Sequence, residues 1–148
     1  MICTFFGHRD TSEKIKVELK AKILKLIENG VKCFYVGNNG KFDLLVQTIL
    51  FELQKSHNID FKIVLSYINE KSISNNQEYT IFPEELESVP YRFAISKRNE
   101  WMIKHSDFVI AYCTNTFSNC HKWLEKAHKN GLTVIKVPSE ENAHDTIV

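Results

Sequence analysis

Three short polar segments of this chain carry the residue types that handle an anion. Gly7-His8-Arg9 offers an imidazole able to hydrogen-bond or shuttle a proton, and a guanidinium able to fork onto phosphate. A plain surface loop, with Arg9 paired to Asp10, accounts for the same residues. Gly37-Asn38-Asn39-Gly40-Lys41-Phe42-Asp43 places two glycines before a helical pattern. Gly37 and Gly40 permit positive φ and close backbone approach, and the helix that follows presents N–H groups to an anion. This is neither the GxGxxG fingerprint nor a P-loop, since no Gly-Lys-Ser/Thr follows. A tight turn, with Asp43 merely favouring the helix dipole, is the simpler reading. The third segment runs from Thr114 to Asn119 and ends in the hydroxyl of Ser118 and the amide of Asn119.

Arg98 stands apart from these turns. It lies three residues after Ile95 and four before Met102, so it shares their core-facing stripe on a helix. A cation there needs a carboxylate, a carbonyl or a ligand anion. Asp43 and Asp107 are the internal candidates. Cys113, Cys120 and His121 lack the ligand spacing of zinc sites, and neither metal nor cofactor is expected. Trp101 and Trp123 sit on helical faces and read as packing or interface residues rather than ligand platforms, which leaves self-association of the chain open.

Five nearly continuous apolar runs must position these groups: Ile2–Phe6, Lys32–Val36, Phe61–Tyr67, Phe108–Tyr112 and Thr133–Val137. Runs that do not alternate belong to strands covered on both faces. Helical stripes separate them. Ile15, Leu19, Ile23, Leu26 and Ile27 form the first, opened by Asp10 with Glu13 as a capping box and closed at Asn29-Gly30. Val46, Ile49, Leu50 and Leu53 form the second. Ile95, Met102 and Ile103 mark a third, and Cys120, Trp123, Leu124 and Ala127 a fourth, ending at Asn130-Gly131.

Alternation of strand and helix predicts one Rossmann-like α/β domain over residues 1–148. Its mainly parallel five-stranded sheet has the order 3-2-1-4-5 and carries helices on both faces. All three polar turns then fall at the carboxyl ends of strands, where open α/β sheets bind ligands. Residues 68–89 break the rhythm. They are polar at first and then carry Tyr79, Phe82 and Pro83, and they read as a long loop or lid over the site.

Composition bounds the function. The chain has 148 residues, 43% hydrophobic and 25% charged, with 19 basic against 18 acidic residues. That balance is poor equipment for nucleic acid, whose binding rests on many phosphate contacts. No run is long enough to cross a membrane, and the apolar start is too short for a signal peptide. Four cysteines without paired short spacing read as free thiols in a reducing, cytoplasmic compartment.

The longest distinctive stretch is Val89-Pro90-Tyr91-Arg92-Phe93-Ala94-Ile95-Ser96-Lys97-Arg98-Asn99-Glu100-Trp101-Met102, which continues into Ser106-Asp107-Phe108-Val109-Ile110-Ala111-Tyr112. With Phe6-Gly7-His8-Arg9 and the turn from Gly37 to Asp43, it resembles the small bacterial YpsA-like proteins (DUF1273). These belong to the SLOG superfamily of Rossmann-like proteins, which also holds the DprA/Smf DNA-processing proteins and the LOG phosphoribohydrolases. The resemblance spans nearly the whole chain. It implies a domain that binds a nucleotide or nucleotide derivative, either sensing it or hydrolysing its N-glycosidic bond.

Two departures bear on that choice. Gly37-Asn38 stands where the family usually has adjacent glycines. Phe117-Ser118-Asn119-Cys120 stands where the subfamily has Trp-Gly-Gly-Ala, so Ser118 and Asn119 would have to serve as donors. The phosphoribohydrolases carry a glycine-rich motif and a catalytic glutamate here, whereas this chain has no glutamate between Tyr112 and Glu125. The expected function is therefore nucleotide binding, as a sensor. The expected ligand-binding residues are Gly7, His8, Arg9, Gly37, Asn38, Asn39, Gly40, Asp43, Arg98, Thr114, Ser118 and Asn119. A nucleotide N-glycosidase and a DNA-processing accessory are the alternatives, and fold-level analogy alone does not choose among them.

Overall fold

The computed structural model describes residues 1–68, 77–114 and 118–138. Six strands, β1 (Ile2–Gly7), β2 (Cys33–Val36), β3 (Asp60–Val64), β4 (Thr80–Ile81), β5 (Phe108–Tyr112) and β6 (Thr133–Lys136), form one sheet in the order β4-β3-β2-β1-β5-β6. Every pairing is parallel. Four α-helices accompany them: α1 (Lys16–Glu28), α2 (Lys41–Gln54), α3 (Ala94–Lys104) and α4 (Asn119–Lys129).

The expected order of five strands is present, and one strand is added at the edge. β4 is two residues long, pairs Thr80 with Ile63 and Ile81 with Val64, and is too short to carry a periodic signal. It belongs to the stretch expected to form a lid. Of the described part, Tyr79 to Ile81 lies along the β3 edge, and Glu85 Oε2 accepts the Trp101 Nε1–H of α3 at 2.7 Å. Tyr79 stacks on Phe61 at 4.9 Å, meets Phe51 edge-on at 4.7 Å and donates its hydroxyl to Gln54 Oε1 at 3.1 Å. Residues 69–76 of that stretch lie outside the described residues.

The strands are apolar on both sides because both sides are covered. Cys3, Phe5, Phe34, Val36, Phe61, Ile63 and Ile110 face α1 and α2, and Phe5 lies 6.0 Å from Phe34. Phe6, Val64, Val109 and Ala111 face α3 and α4 with Met102, Ile103, Leu124 and Ala127. Each buried aromatic or aliphatic side chain contributes about 1.5–3 kcal/mol relative to exposure.

The helices stop where the sequence indicates. Gly30 and Gly131 follow α1 and α4 with φ of 99° and 85°, the left-handed conformation that ends a helix. The start of α1 is different. Ser12, not Asp10, is the capping residue: it accepts the Lys14 N–H at 3.2 Å and opens a 3-10 turn, Glu13–Ile15, before α1 begins. Asp10 is drawn away to Lys41, whose Nζ lies 3.2 Å from Asp10 Oδ1.

Candidate functional site

β1 is flanked by β2 on one side and β5 on the other, and the chain leaves them in opposite directions. That makes the carboxyl ends of β1 and β5 the switch point of the sheet, where a crevice must open. A cavity of about 800 Å³ lies there. Its walls are Gly7, His8 and Arg9 after β1, Asn39 and Asp43 at the start of α2, Ile95, Ser96, Arg98, Asn99 and Met102 on α3, and Ser118, Asn119, Lys122, Trp123 and Lys126 on α4. In an all-parallel sheet the covering helices all begin at this edge. The positive ends of α2, α3 and α4 therefore converge on the cavity.

Eight of the twelve residues expected at the site line this cavity: Gly7, His8, Arg9, Asn39, Asp43, Arg98, Ser118 and Asn119. The other four, Gly37, Asn38, Gly40 and Thr114, are not part of its lining: Gly37 is buried, and Asn38, Gly40 and Thr114 are exposed. Residues 115–117 of the third turn, Phe117 among them, lie outside the described residues.

Arg98 is only 3% exposed, and its partners are now visible. Nε donates to Asn99 Oδ1 at 2.9 Å, and Nη1 donates to the Val64 carbonyl at 3.1 Å and to Asn38 Oδ1 at 3.4 Å. The guanidinium thus ties the end of β3 to the loop after β2. Asp107 plays no part, because its Oδ2 accepts the Ile2 N–H at 2.9 Å at the opposite end of the sheet. Asp43, 8% exposed, accepts the Asn39 N–H at 2.9 Å through Oδ2. Burial pushes the Asp43 carboxyl above its ordinary range, against the pull of Arg98, the Asn39 N–H and Arg9. Burial likewise lowers the Arg98 guanidinium, while Asp43 supports its charge.

Gly37 sits between these two ionic groups. A Cβ at Gly37 would fall 2.6 Å from Asp43 Oδ2 and 2.8 Å from Arg98 Nη1, so no side chain fits without displacing one of them. Gly40 has a different reason to be glycine: φ is +94° and the Arg9 backbone crosses 2.7 Å from where its Cβ would be. The Arg9 carbonyl accepts the Lys41 N–H at 2.7 Å, which locks the first turn onto the second.

His8 is fixed from the third turn. The Thr114 N–H donates to His8 Nε2 at 2.8 Å, and the Thr114 hydroxyl lies 3.0 Å from the same nitrogen. A backbone N–H only donates, so Nε2 is the acceptor nitrogen and the ring proton sits on Nδ1. The ring meets Tyr112 edge-on at 5.4 Å. On α4, the Ser118 hydroxyl caps the helix by accepting the His121 N–H at 3.2 Å.

Lys122, Trp123 and Lys126 are among the lining residues that the sequence does not mark as site residues. Lys122 and Lys126 resemble a solvated helix face, and Trp123 resembles packing. Trp123 does stack on Phe6 at 6.2 Å, but it also forms cavity wall, with Lys126 Nζ 5.6 Å from its ring. Only the sheet order, which lays α4 beside β1, shows this. Among the described lining residues, four cations (Arg9, Arg98, Lys122, Lys126) accompany one carboxylate, Asp43. Lys126 is shared with Glu100 at 2.7 Å. Asn39 Oδ1 is buried with no hydrogen-bond partner.

One expectation about the cysteines is corrected. Cys113 and Cys120 form a disulfide with Cα atoms 5.7 Å apart, while Cys3 and Cys33 are free. A separation of seven residues resembles no familiar pairing in one dimension. The turn from the end of β5 into α4 brings the two side chains together. Among the described residues, no group of three or more His, Cys, Asp or Glu side chains is placed to hold a metal ion, and no helix is long and apolar enough to cross a membrane.

No protein-family model matches this chain, and no curated protein matches it.

Proposed function

We propose that the chain binds a nucleotide or nucleotide derivative at the carboxyl edge of its sheet. The observation that carries this reading is the charge and texture of the one cavity at the switch point. Its lining carries the cations Arg9 and Lys122 beside helix N-termini, together with the half-buried ring of Trp123 over the buried Phe6 and Met102. Phosphate suits the first and a base suits the second. Arg98 gives Nε and Nη1 to protein acceptors, so it holds the Gly37–Asn39 loop and raises the local potential. Arg9 is exposed, and its guanidinium can fork onto a phosphate. Asn39 Oδ1 awaits a donor, such as a ribose hydroxyl or an amino group.

This reading agrees with the resemblance to YpsA-like proteins of the SLOG superfamily, and we assign the chain to that group on the same ground. Binding is favoured over N-glycosidic hydrolysis by the state of Asp43. It is the single carboxylate among the described lining residues, it is buried, and its Oδ2 is already engaged by the Asn39 N–H.

The test is calorimetric titration with inorganic phosphate and adenosine 5′-monophosphate, for wild type and Arg9→Met. Loss of one charge-assisted contact weakens affinity about tenfold for roughly 1.4 kcal/mol. Equal affinity in the two proteins, or none in either, contradicts the proposal. Release of free adenine during the titration would instead favour the hydrolase.

A further inference from the structure

We propose that Cys113 and Cys120 form a reversible thiol–disulfide switch that sets the shape of the α4 wall of the cavity. As a statement about ligand control it rests on the binding reading above. As a statement about structure it stands alone.

The bond sits where it can act on the site. Cys113 directly follows β5, and Cys120 is the second residue of α4, buried and part of the cavity wall. Between them lie Thr114, whose N–H holds His8, and Ser118 and Asn119, which line the cavity. Closing or opening the bond therefore acts on both the imidazole and the helix N-terminus that face the ligand.

The chemistry is also selective. Burial pushes the Cys3 thiol far above the ordinary cysteine range, and burial followed by the charge of Asp60 raises Cys33. Neither is suited to exchange. Cys120 lies in the first turn of α4, with its Sγ 3.5 Å from the Tyr112 carbonyl oxygen. Cys113 is the more exposed of the pair. A short loop also limits what the bond contributes to global stability, because the entropy it removes from the unfolded chain grows with loop length. Its effect is mainly local.

The exchange balances with a small thiol or a protein dithiol as reductant. The incoming thiolate attacks the more accessible Cys113 Sγ, the Cys113–Cys120 bond breaks, and its electron pair leaves on Cys120 Sγ. A second thiolate then attacks the reductant's sulfur in the mixed disulfide, and Cys113 departs with the electron pair. Two protons go to the cysteines, and the net change is protein disulfide plus two thiols giving protein dithiol plus one external disulfide.

The experiment is a glutathione redox titration of the intact protein under native conditions. Alkylation and mass measurement count free thiols, amide hydrogen exchange is followed at Thr114 and Ser118–His121, and adenosine 5′-monophosphate affinity is measured at each end point. The expected result is a reversible two-electron transition confined to Cys113 and Cys120. Exchange of those amides should be at least about tenfold faster when reduced, and affinity at least about threefold weaker. Cys113→Ser should match the reduced protein in either buffer; reduced wild type serves in its place if that variant does not fold. Unchanged amide exchange and affinity on reduction, or a pair that never forms the bond, overturns the switch. If neither state binds the nucleotide, the binding reading fails, and amide exchange alone then decides the switch.

Discussion

Gly37→Ala tests the packing at the heart of the site with the smallest change available. The new methyl would arrive 2.6 Å from Asp43 Oδ2 and 2.8 Å from Arg98 Nη1. Both atoms end side chains, yet neither is free to retreat. Asp43 Oδ2 holds the Asn39 N–H, and Arg98 Nη1 holds the Val64 carbonyl. Forcing extra volume into such a place costs about 1–3 kcal/mol, and losing a hydrogen bond to a charged group costs about 1.5–3 kcal/mol more. Alanine restricts the unfolded chain, which returns about 0.4–1 kcal/mol. The net destabilisation is about 3 kcal/mol, or a drop in Tm of roughly 6–12 °C for a chain of this size. Urea unfolding followed by circular dichroism measures it. Gly131→Ala is the control: φ is +85° but nothing lies within 4 Å, so only the left-handed backbone penalty of about 1 kcal/mol applies. A Gly37→Ala protein within about 0.5 kcal/mol of wild type would refute the close approach of Asp43 and Arg98.

Other consequences follow from the same geometry. Because burial raises the Asp43 carboxyl in the folded state, folding favours its protonated form: the stabilisation is fully present below the ordinary value of 3.8 and is lost as pH rises through the folded value. Asp43→Asn should remove that part of the pH dependence, so urea midpoints of variant and wild type should diverge, in favour of the variant, as pH rises above about 4. Ser118→Ala removes the α4 cap and should cost about 1 kcal/mol by the same assay. Trp123→Ala should weaken adenosine 5′-monophosphate by about 1–3 kcal/mol while leaving inorganic phosphate unchanged, since stacking serves the base alone. Parallel losses for both ligands would show that Trp123 only supports the fold.

The fold was legible because periodicity and helix stops are local signals. Continuous apolar runs gave the five long strands, and Gly30 and Gly131 marked the ends of α1 and α4. β4 was illegible because two residues carry no period, and it exists only because β3 offers an open edge with Tyr79 anchored on Phe51 and Phe61. At the site, the turns after β1 and β2 could be read since position relative to a strand fixes which edge a loop occupies. The partners of Arg98 could not. The Val64 carbonyl and Asn38 are 34 and 60 residues away and give no local signal. Nor could the Cys113–Cys120 bond be foreseen, because it depends on the angle at which β5 passes into α4.

The central claim is that the cavity at the ends of β1 and β5 binds a nucleotide, and amide chemical-shift mapping during titration with adenosine 5′-monophosphate tests it most directly. The account predicts saturable shifts clustered at Gly7–Arg9, Asn38–Asp43, Ile95–Asn99 and Ser118–Trp123. A second, open groove between α1, α4 and β6, lined by Lys25, Leu132 and Ile135, is the internal control. Shifts confined to that groove, or no saturable shifts at millimolar nucleotide, would contradict the account.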